Sequence, residues 1–204
     1  MLHEQPEIKA GLDHFLQNDD RFRALLPDGH IKFRGNLTPG LSGLCRIVIG
    51  QQISAKVANT LWARFQGMCD PSDPEDVLSL SDGTMRSCGL SFQKMKYVRG
   101  AAQSILEGLV NPDNWHALPQ DAVYQQIVAL KGFGPWSAQI YLLFYLGKGD
   151  VWPAGDLGIQ IGLQHYAELN NRPDERKTEK LGSRFAPYRS AAALLLWDIK
   201  DRGI

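Results

Sequence analysis

A lone aspartate stands where a carboxylate could do chemistry. Asp156 follows the residues WPAG and precedes the apolar residues LGI. A single carboxylate can stabilise the positive charge that develops on a sugar during C–N cleavage, and it can orient an attacking water. The position also suits a helix N-cap, because Asp is a strong cap and an apolar helix is predicted to follow. Taken alone, Asp156 is better interpreted as a cap, although a single carboxylate suffices for the chemistry.

A short turn with two glycines lies upstream of this acid. Gly132 and Gly134 flank a Phe between two apolar helical segments, and glycine permits close backbone approach. We expect the amides of Trp136, Ser137 and Ala138 to lack intrahelical acceptors, so that they could bind one phosphate without a lysine cluster. Carbonyls of the turn could also hold a monovalent cation. The G-x-G pattern by itself is more typical of an ordinary αα-hairpin with glycine at the C-cap.

Helical periodicity dominates the rest of the chain and predicts an all-α protein. A polar connector that ends at Gly40 could be a loop or a lobe boundary. The predicted helical segments are 11–26, 41–65 with an interruption near residues 50–52, 71–88 as two short helices, 92–109, 121–130, 135–147, a short helix after residue 156, 174–185 and 187–202.

Composition describes a globular protein without a strong charge bias. The chain has 204 residues, 44% hydrophobic and 22% charged, with 22 Lys and Arg against 22 Asp and Glu. Zero net charge counts against indiscriminate nucleic-acid binding but leaves room for a local basic face. Lys94, Lys96 and Arg99 on one predicted helix could face phosphate or solvent. Asp150 is interpreted as a solvated loop acid, and Arg189 is expected to brace the fold or pair with an acid rather than touch DNA.

Targeting and metal-binding signals are not apparent in the sequence. The first residues resemble no secretory signal, and no apolar run is long enough to span a bilayer, so we expect a cytoplasmic protein without membrane contact. Cys45, Cys69 and Cys88 form no C-x-x-C pair and are interpreted as reduced thiols. The histidines have no ligand spacing. We therefore predict no zinc, no iron–sulfur cluster and no other cofactor, apart from the cation that the turn could hold.

Three motifs stand in order along the chain. Residues 47–54 read IVIGQQIS, residues 130–138 form the predicted hairpin ahead of Asp156, and residues 185–190 read FAPYRS ahead of Trp197. In this order they resemble the helix-hairpin-helix (HhH-GPD) DNA glycosylase superfamily, and within it the alkylation-repair branch of the DNA-3-methyladenine glycosylase II type. The first resembles the I-x-x-Q-Q-[IL]-S helix of that family, the second its hairpin and catalytic Asp, and the third its W-x-P-[WY]-R-S motif and pocket tryptophan. The resemblance covers about residues 40–202.

The resemblance implies a two-lobed helical HhH-GPD fold with the helix-hairpin-helix at about residues 121–147. We expect residues 1–40 to form a helical segment that packs on a core of residues 41–204. Some relatives carry a β-rich domain before the core, and we expect this chain to lack one.

The resemblance also implies roles for individual residues. Asp156 would be the catalytic carboxylate. Trp136 stands where bifunctional relatives carry a Schiff-base lysine, which implies a monofunctional enzyme without AP lyase activity. Trp136 and Trp197 would line the base pocket together with Ile140, a position that is aromatic in some relatives. Gln52 or Ile53 would fill the gap left by a flipped nucleotide. The predicted DNA-contacting residues are Gln51, Gln52, Ile53, Gly132, Gly134, Trp136, Ser137 and Ala138.

The implied function is hydrolysis of the N-glycosidic bond of alkylated purines, of the 3-methyladenine type, in base excision repair. Its partner would be double-stranded DNA with alkylated bases, and the protein would act as a monomer. Electron-rich indole faces suit such a substrate, because these bases carry positive charge. Two alternatives stay open: a glycosylase for deaminated or oxidised bases, and a non-catalytic DNA-binding module in which Asp156 only caps its helix.

Overall fold

The computed structural model describes residues 2–29, 31 and 37–203, and the regular elements of these residues are all helical. The all-α prediction is confirmed. Part of the predicted connector before Gly40 lies outside the described residues. The α-helices are α1 Pro6–Asn18, α2 Asp20–Leu25, α3 Leu41–Gly50, α4 Ala55–Gln66, α5 Pro74–Ser79, α6 Asp82–Ser87, α7 Phe92–Leu106, α8 Gln120–Ala129, α9 Pro135–Phe144, α10 Leu157–Tyr166, α11 Glu175–Gly182 and α12 Arg189–Arg202. Short 3-10 helices cover Leu2–Glu4, Pro112–Ala117 and Ser183–Phe185.

The helices form two compact units, as the two-lobed prediction requires. One unit comprises Met1–Asn36 and Leu142–Ile204, and the other comprises Leu37–Tyr141. The predicted division into residues 1–40 and 41–204 stays a prediction about domain organisation. In the observed units the N-terminal helices group with the C-terminal ones. None of the helices in the described ranges is long and apolar enough to cross a membrane.

The first unit is built around α12, whose residues from Ser190 to Ile199 are all buried. Helices α1 and α10 both pack against it. Gly162 permits the close approach of α10, because a Cβ atom there would lie 2.1 Å from the carbonyl oxygen of Leu196. The ring of Phe185 closes the core with edge contacts to Phe15 and Tyr166. Helix α12 is therefore a buried support for the residues that it carries.

The second unit is built around α3 and α7. Helix α3 packs against α4 and α7, and α5 packs against α7. Helix α7 buries Met95, Val98, Ala101 and Ala102 along one face, as a 3.6-residue period requires. The predicted interruption near residues 50–52 is confirmed: α3 ends at Gly50 and α4 begins at Ala55.

The interpretation of Asp150 as a solvated loop acid is wrong. Arg189 Nε donates to Asp150 Oδ1 over 2.7 Å, and Arg189 Nη2 donates to Oδ2 over 2.8 Å. The hydrogen bonds from Arg189 hold the pKa of Asp150 below its usual value. The expectation that Arg189 pairs with an acid is confirmed. The pair joins the loop before Asp156 to the start of α12, and a contact across 39 residues has no local signal.

Candidate functional site

Asp156 caps α10, as its position before an apolar helix predicted. Its Oδ1 accepts hydrogen bonds from the amides of Gly158, at 2.8 Å, and Ile159, at 3.1 Å. The residue has extended backbone angles, φ −76° and ψ 126°, as N-cap residues do. Its half-buried carboxylate therefore lies at the positive end of the α10 dipole.

A third donor reaches the same oxygen from a distant part of the chain. Trp197 Nε1, on α12, donates to Asp156 Oδ1 over 2.8 Å. The indole of Trp197 is 6% exposed, and its ring centroid lies 5.2 Å from that of Phe144. A helix cap needs only the two amides. The hydrogen bond from the tryptophan comes from a second direction and fixes the orientation of the carboxylate.

Gly158 makes room for this arrangement and was missed in the sequence analysis. A Cβ atom at Gly158 would lie 2.6 Å from Cδ1 and 2.8 Å from Nε1 of Trp197. Any side chain there would push the indole away from Asp156. A glycine in the first turn of an apolar helix lowers the stability of that helix. This unfavourable choice of residue is the sequence feature that could have indicated a special role for Gly158.

The predicted hairpin lies between α8 and α9. Gly132 has φ +94°, and a Cβ atom there would lie 2.2 Å from Cγ of Tyr97, on α7. The amide of Phe133 donates to the carbonyl oxygen of Leu130 over 3.1 Å, and the Phe133 side chain is buried. Glycine is therefore required at position 132 for two reasons: the backbone has a positive φ, and the ring of Tyr97 leaves no room for a side chain.

The structure corrects one of the three predicted anion-binding amides. The Ala138 amide donates to the carbonyl oxygen of Gly134 over 3.1 Å, so the expectation that it lacks an intrahelical acceptor is wrong. Because α9 begins at Pro135, the amides of Trp136 and Ser137, in its first turn, stay the predicted phosphate donors. The Ser137 and Ala138 side chains are buried, whereas Gly134 is exposed.

The turn between α3 and α4 contacts the hairpin through one side chain. Gln51 Nε2 donates to the carbonyl oxygen of Gly132 over 2.9 Å and to Ser137 Oγ over 3.2 Å. The next residue, Gln52, is exposed and has φ +58°, a left-handed conformation that is uncommon outside glycine. Ile53 is half-buried. Gln51 thus faces inward, whereas Gln52 presents its side chain to solvent.

The predicted base-pocket residues belong to different compact units. Trp136 and Ile140 are half-buried on α9, in the unit Leu37–Tyr141. Trp197 lies with Asp156 in the other unit. Trp197 forms a hydrogen bond with Asp156 within one unit, and Trp136 and Ile140 lie in the other unit. The base-pocket roles of all three residues stay predictions.

Two of the three basic residues on α7 are hydrogen-bonded within the protein. Lys94 Nζ donates to the carbonyl oxygens of Ile49, at 2.8 Å, and Gln51, at 2.9 Å. Partial burial lowers the pKa of Lys94. Arg99 Nη1 donates to Asp82 Oδ1 over 2.6 Å. Lys96 is exposed on the same helix.

The cysteines belong neither to the residues around Asp156 nor to the hairpin. All three cysteines are buried free thiols. Across residues 2–29, 31 and 37–203, no group of three or more His, Cys, Asp or Glu side chains could hold a metal ion. The expectations of no cofactor and of a cation at the hairpin both stay predictions.

Comparison with known proteins identifies the family to which this chain belongs. Residues 45–187 match the family model described as HhH-GPD superfamily base excision DNA repair protein. The chain is 28% identical to DNA-3-methyladenine glycosylase 1 of Schizosaccharomyces pombe, over 96% of this chain and 91% of that protein. It is 26% identical to the DNA-3-methyladenine glycosylase of Saccharomyces cerevisiae, over 96% and 80% of the two chains. A solved structure of the Schizosaccharomyces pombe 3-methyladenine DNA glycosylase in complex with abasic DNA superposes with a TM-score of 0.84 and 27% identity, over 92% of this chain and 95% of that one.

Proposed function

Because the chain belongs to the HhH-GPD superfamily of base excision DNA repair proteins, we propose that it is a monofunctional DNA glycosylase that removes alkylated purines of the 3-methyladenine type. Two relatives that share nearly all of its length are 3-methyladenine glycosylases, and one is bound to abasic DNA. One observation carries the catalytic part of the proposal. Three N–H donors converge on Oδ1 of Asp156, and one of them, from Trp197, is not needed to cap a helix.

The reaction breaks the bond between C1′ of the deoxyribose and the nitrogen of the damaged base. The electron pair of that bond leaves with the base, and positive charge develops on the sugar. The carboxylate of Asp156 stabilises this charge electrostatically. A water oxygen then bonds to C1′ and one proton of that water passes to solvent, leaving an abasic site and a free base. The donors from Gly158 and Trp197 hold the carboxylate in one orientation, so little reorganisation is needed as the charge forms.

An alkylated purine is a favourable substrate for a site with one acid. Alkylation at a ring nitrogen makes the base cationic, so it departs as a neutral molecule and needs little help from a general acid. Flipping brings the base out of the stack, and indole faces such as that of Trp197 attract its charge. This part of the proposal selects alkylated over deaminated or oxidised bases, which are neutral.

The absence of strand cleavage follows from the residue at position 136. Bifunctional relatives need a lysine amine to form a Schiff base with the sugar, and this chain has Trp136 there. Lys131 lies ahead of the hairpin glycines and does not replace it. We therefore assign attack to water alone, which leaves both DNA strands intact.

The hairpin and the turn between α3 and α4 account for DNA binding without a large positive charge. The amides of Trp136 and Ser137, in the first turn of α9, can donate to the oxygens of one phosphate at the positive end of the helix dipole. Gln52, exposed and in a left-handed conformation, is the stronger candidate to fill the gap beside a flipped nucleotide, because Ile53 is half-buried. We further propose that the protein acts on double-stranded DNA with alkylated bases, that it is a monomer and that it is cytoplasmic.

A non-catalytic DNA-binding module remains the second candidate, because Asp156 does cap α10. Asp156→Asn separates the two. The asparagine side-chain oxygen can still accept the bonds from Gly158 and Trp197, and Asn is as good a cap as Asp, so only the charge is lost.

The deciding measurement is base release from methylated duplex DNA by the wild type and by Asp156→Asn, followed by alkali to reveal abasic sites. We expect release of 3-methyladenine by the wild type, a loss of at least about 100-fold in the variant, and intact strands before alkali. DNA affinity should be similar in both proteins. Equal release by both would contradict the role of Asp156, and binding without release by either would favour the binding module.

A further inference from the structure

Lys94 was one of three basic residues on α7 that could have faced phosphate. Its ammonium group instead forms hydrogen bonds within the protein. It donates to the carbonyl oxygens of Ile49 and Gln51, which end α3 and begin the turn to α4. The last carbonyls of a helix have no intrahelical donors, and a cation there also meets the negative end of the dipole. Lys94 therefore holds the end of α3 in place from a neighbouring helix.

Gln51, which accepts a hydrogen bond from Lys94, also forms hydrogen bonds with the hairpin. The backbone oxygen of Gln51 accepts from Lys94, while its side-chain amide donates to Gly132 and to Ser137. Gly132 lies in the hairpin turn, and Ser137 lies in the first turn of α9. A single side chain thus joins the two ends of the segment predicted to bind phosphate.

A second contact from α7 closes the same arrangement. The ring of Tyr97, three residues after Lys94, lies against Gly132 so closely that no side chain fits there. Gln93 Nε2 donates to the Tyr97 hydroxyl over 2.6 Å. One face of α7 therefore touches both the turn after α3 and the hairpin.

We propose that Lys94 is a positioning residue that, through Gln51, locks the turn bearing Gln52 to the hairpin, so that the predicted wedge and the predicted phosphate site form one rigid DNA-contacting platform. The proposal rests on the proposed function and adds to it a route by which a residue that does not touch DNA controls excision. It also assigns Gln51 an indirect role in DNA binding.

The platform explains why the two elements are tied together. A wedge fills the gap left by a flipped nucleotide only if it stands at a fixed distance from the phosphate that the hairpin holds. Gln52 sits in a backbone conformation that costs energy for a residue with a side chain, and such conformations persist where neighbouring contacts enforce them. The bonds from Lys94 to both sides of Gly50 supply that restraint.

The alternative for Lys94 is a direct phosphate contact, and salt dependence distinguishes the two. Each phosphate that a protein neutralises contributes about 0.9 to the slope of log K against log salt concentration. A positioning residue lowers affinity and excision without changing that slope. Lys94→Met keeps an unbranched side chain, one atom shorter, and removes its donors, and Lys96→Met, at an exposed position of the same helix, is the matched control.

The experiment measures Kd for duplex DNA with an abasic-site analogue across a range of salt concentrations, together with single-turnover release of 3-methyladenine. For Lys94→Met we expect release to fall on the order of 10-fold, with a salt slope equal to that of the wild type. Lys96→Met should release base at the wild-type rate. A slope that falls by about one in Lys94→Met, or release at the wild-type rate, would overturn the proposal.

Gln51→Leu tests the other half of the link and protects against a misfolded Lys94 variant. It removes both bonds to the hairpin without changing charge, and we expect a similar loss of release. In the double variant the losses should not add, because both residues act through one connection. Additive losses would contradict the platform. Should the wild type bind abasic DNA and release no base, the binding arm still tests the platform while the proposed function fails.

Discussion

Trp197 and Asp156 are joined by a hydrogen bond of 2.8 Å between the indole Nε1 and the carboxylate Oδ1. The donor comes from the buried helix α12, and the acceptor stands at the start of α10. The two helices pack closely where Gly162 meets Leu196. The orientation of the proposed catalytic carboxylate is therefore set by the most deeply buried helix of its unit, rather than by its own loop alone.

Trp197→Phe should lower base release by about 10- to 100-fold, because it removes the N–H donor and leaves the carboxylate less well oriented. Phe keeps an aromatic ring against Phe144, so the free energy of unfolding should fall by only about 1–2 kcal/mol. Single-turnover release and urea unfolding measure the two effects.

Trp152→Phe is the matched control for this change. Trp152 is also buried in the first unit, and its Nε1 donates over 3.1 Å to the carbonyl oxygen of Thr178 instead of to Asp156. It should lose comparable stability and retain the wild-type rate of release. Equal loss of activity in both variants would show that Trp197 acts only through stability.

Gly158→Ala should reduce base release even though alanine favours a helix by about 1 kcal/mol. The added methyl group would lie 2.6 Å from Trp197 Cδ1 and 3.1 Å from Asp156 Oδ1, so the indole has to move. Gly100→Ala is the control, because a Cβ atom on that helical glycine would meet nothing within 4 Å. The control should become more stable and keep its activity. Wild-type release by Gly158→Ala would refute the steric account.

Asp150→Asn should destabilise the protein at pH 7 by about 1 kcal/mol, a value reduced for the solvent that reaches the ion pair with Arg189. Because the pKa of Asp150 is lowered from 3.8 in the folded protein, its contribution is present above pH 3.8 and disappears as the pH falls through the lower, folded value. The difference in unfolding free energy between wild type and variant should therefore shrink between pH 5 and pH 2.

Urea unfolding at several pH values checks this prediction, with Asp113→Asn as the control at an exposed acid. The control should show a small difference at every pH. A difference for Asp150→Asn that stays constant down to pH 2 would mean that the pair with Arg189 contributes no pH-dependent stability.

The three thiols should react slowly with a disulfide reagent at pH 8 in the native protein. Burial raises the pKa of Cys69 to about 11, so only about one thiol in a thousand is ionised at that pH. Burial also raises the pKa values of Cys45 and Cys88. Urea should expose all three and bring rapid, complete reaction. One equivalent of fast reaction without urea would contradict the buried placement.

The sequence by itself determined most of the helical segments and the cap at Asp156, although α1 begins at Pro6, before the predicted start at residue 11, and α7 ends at Leu106 rather than at residue 109. Periodicity predicted the segments, and the residues after α3 predicted its end, because these signals act within one or two turns of the chain. The cap formed by Asp156 is of this kind, since its acceptor amides follow directly. The three motifs identified the family for the same reason: each is a short run read in order.

The tertiary structure decided which of those residues meet. Trp197 reaches Asp156 across 41 residues, Gln51 reaches Gly132 across 81, and Lys94 reaches Gln51 across 43. Asp150 was misjudged because its partner Arg189 lies 39 residues away. Periodicity shows which face of a helix is apolar. It does not show which helix packs against that face, or how closely two helices approach at a glycine such as Gly162. Those depend on how side chains of many helices fill a common core, which no short stretch of sequence encodes.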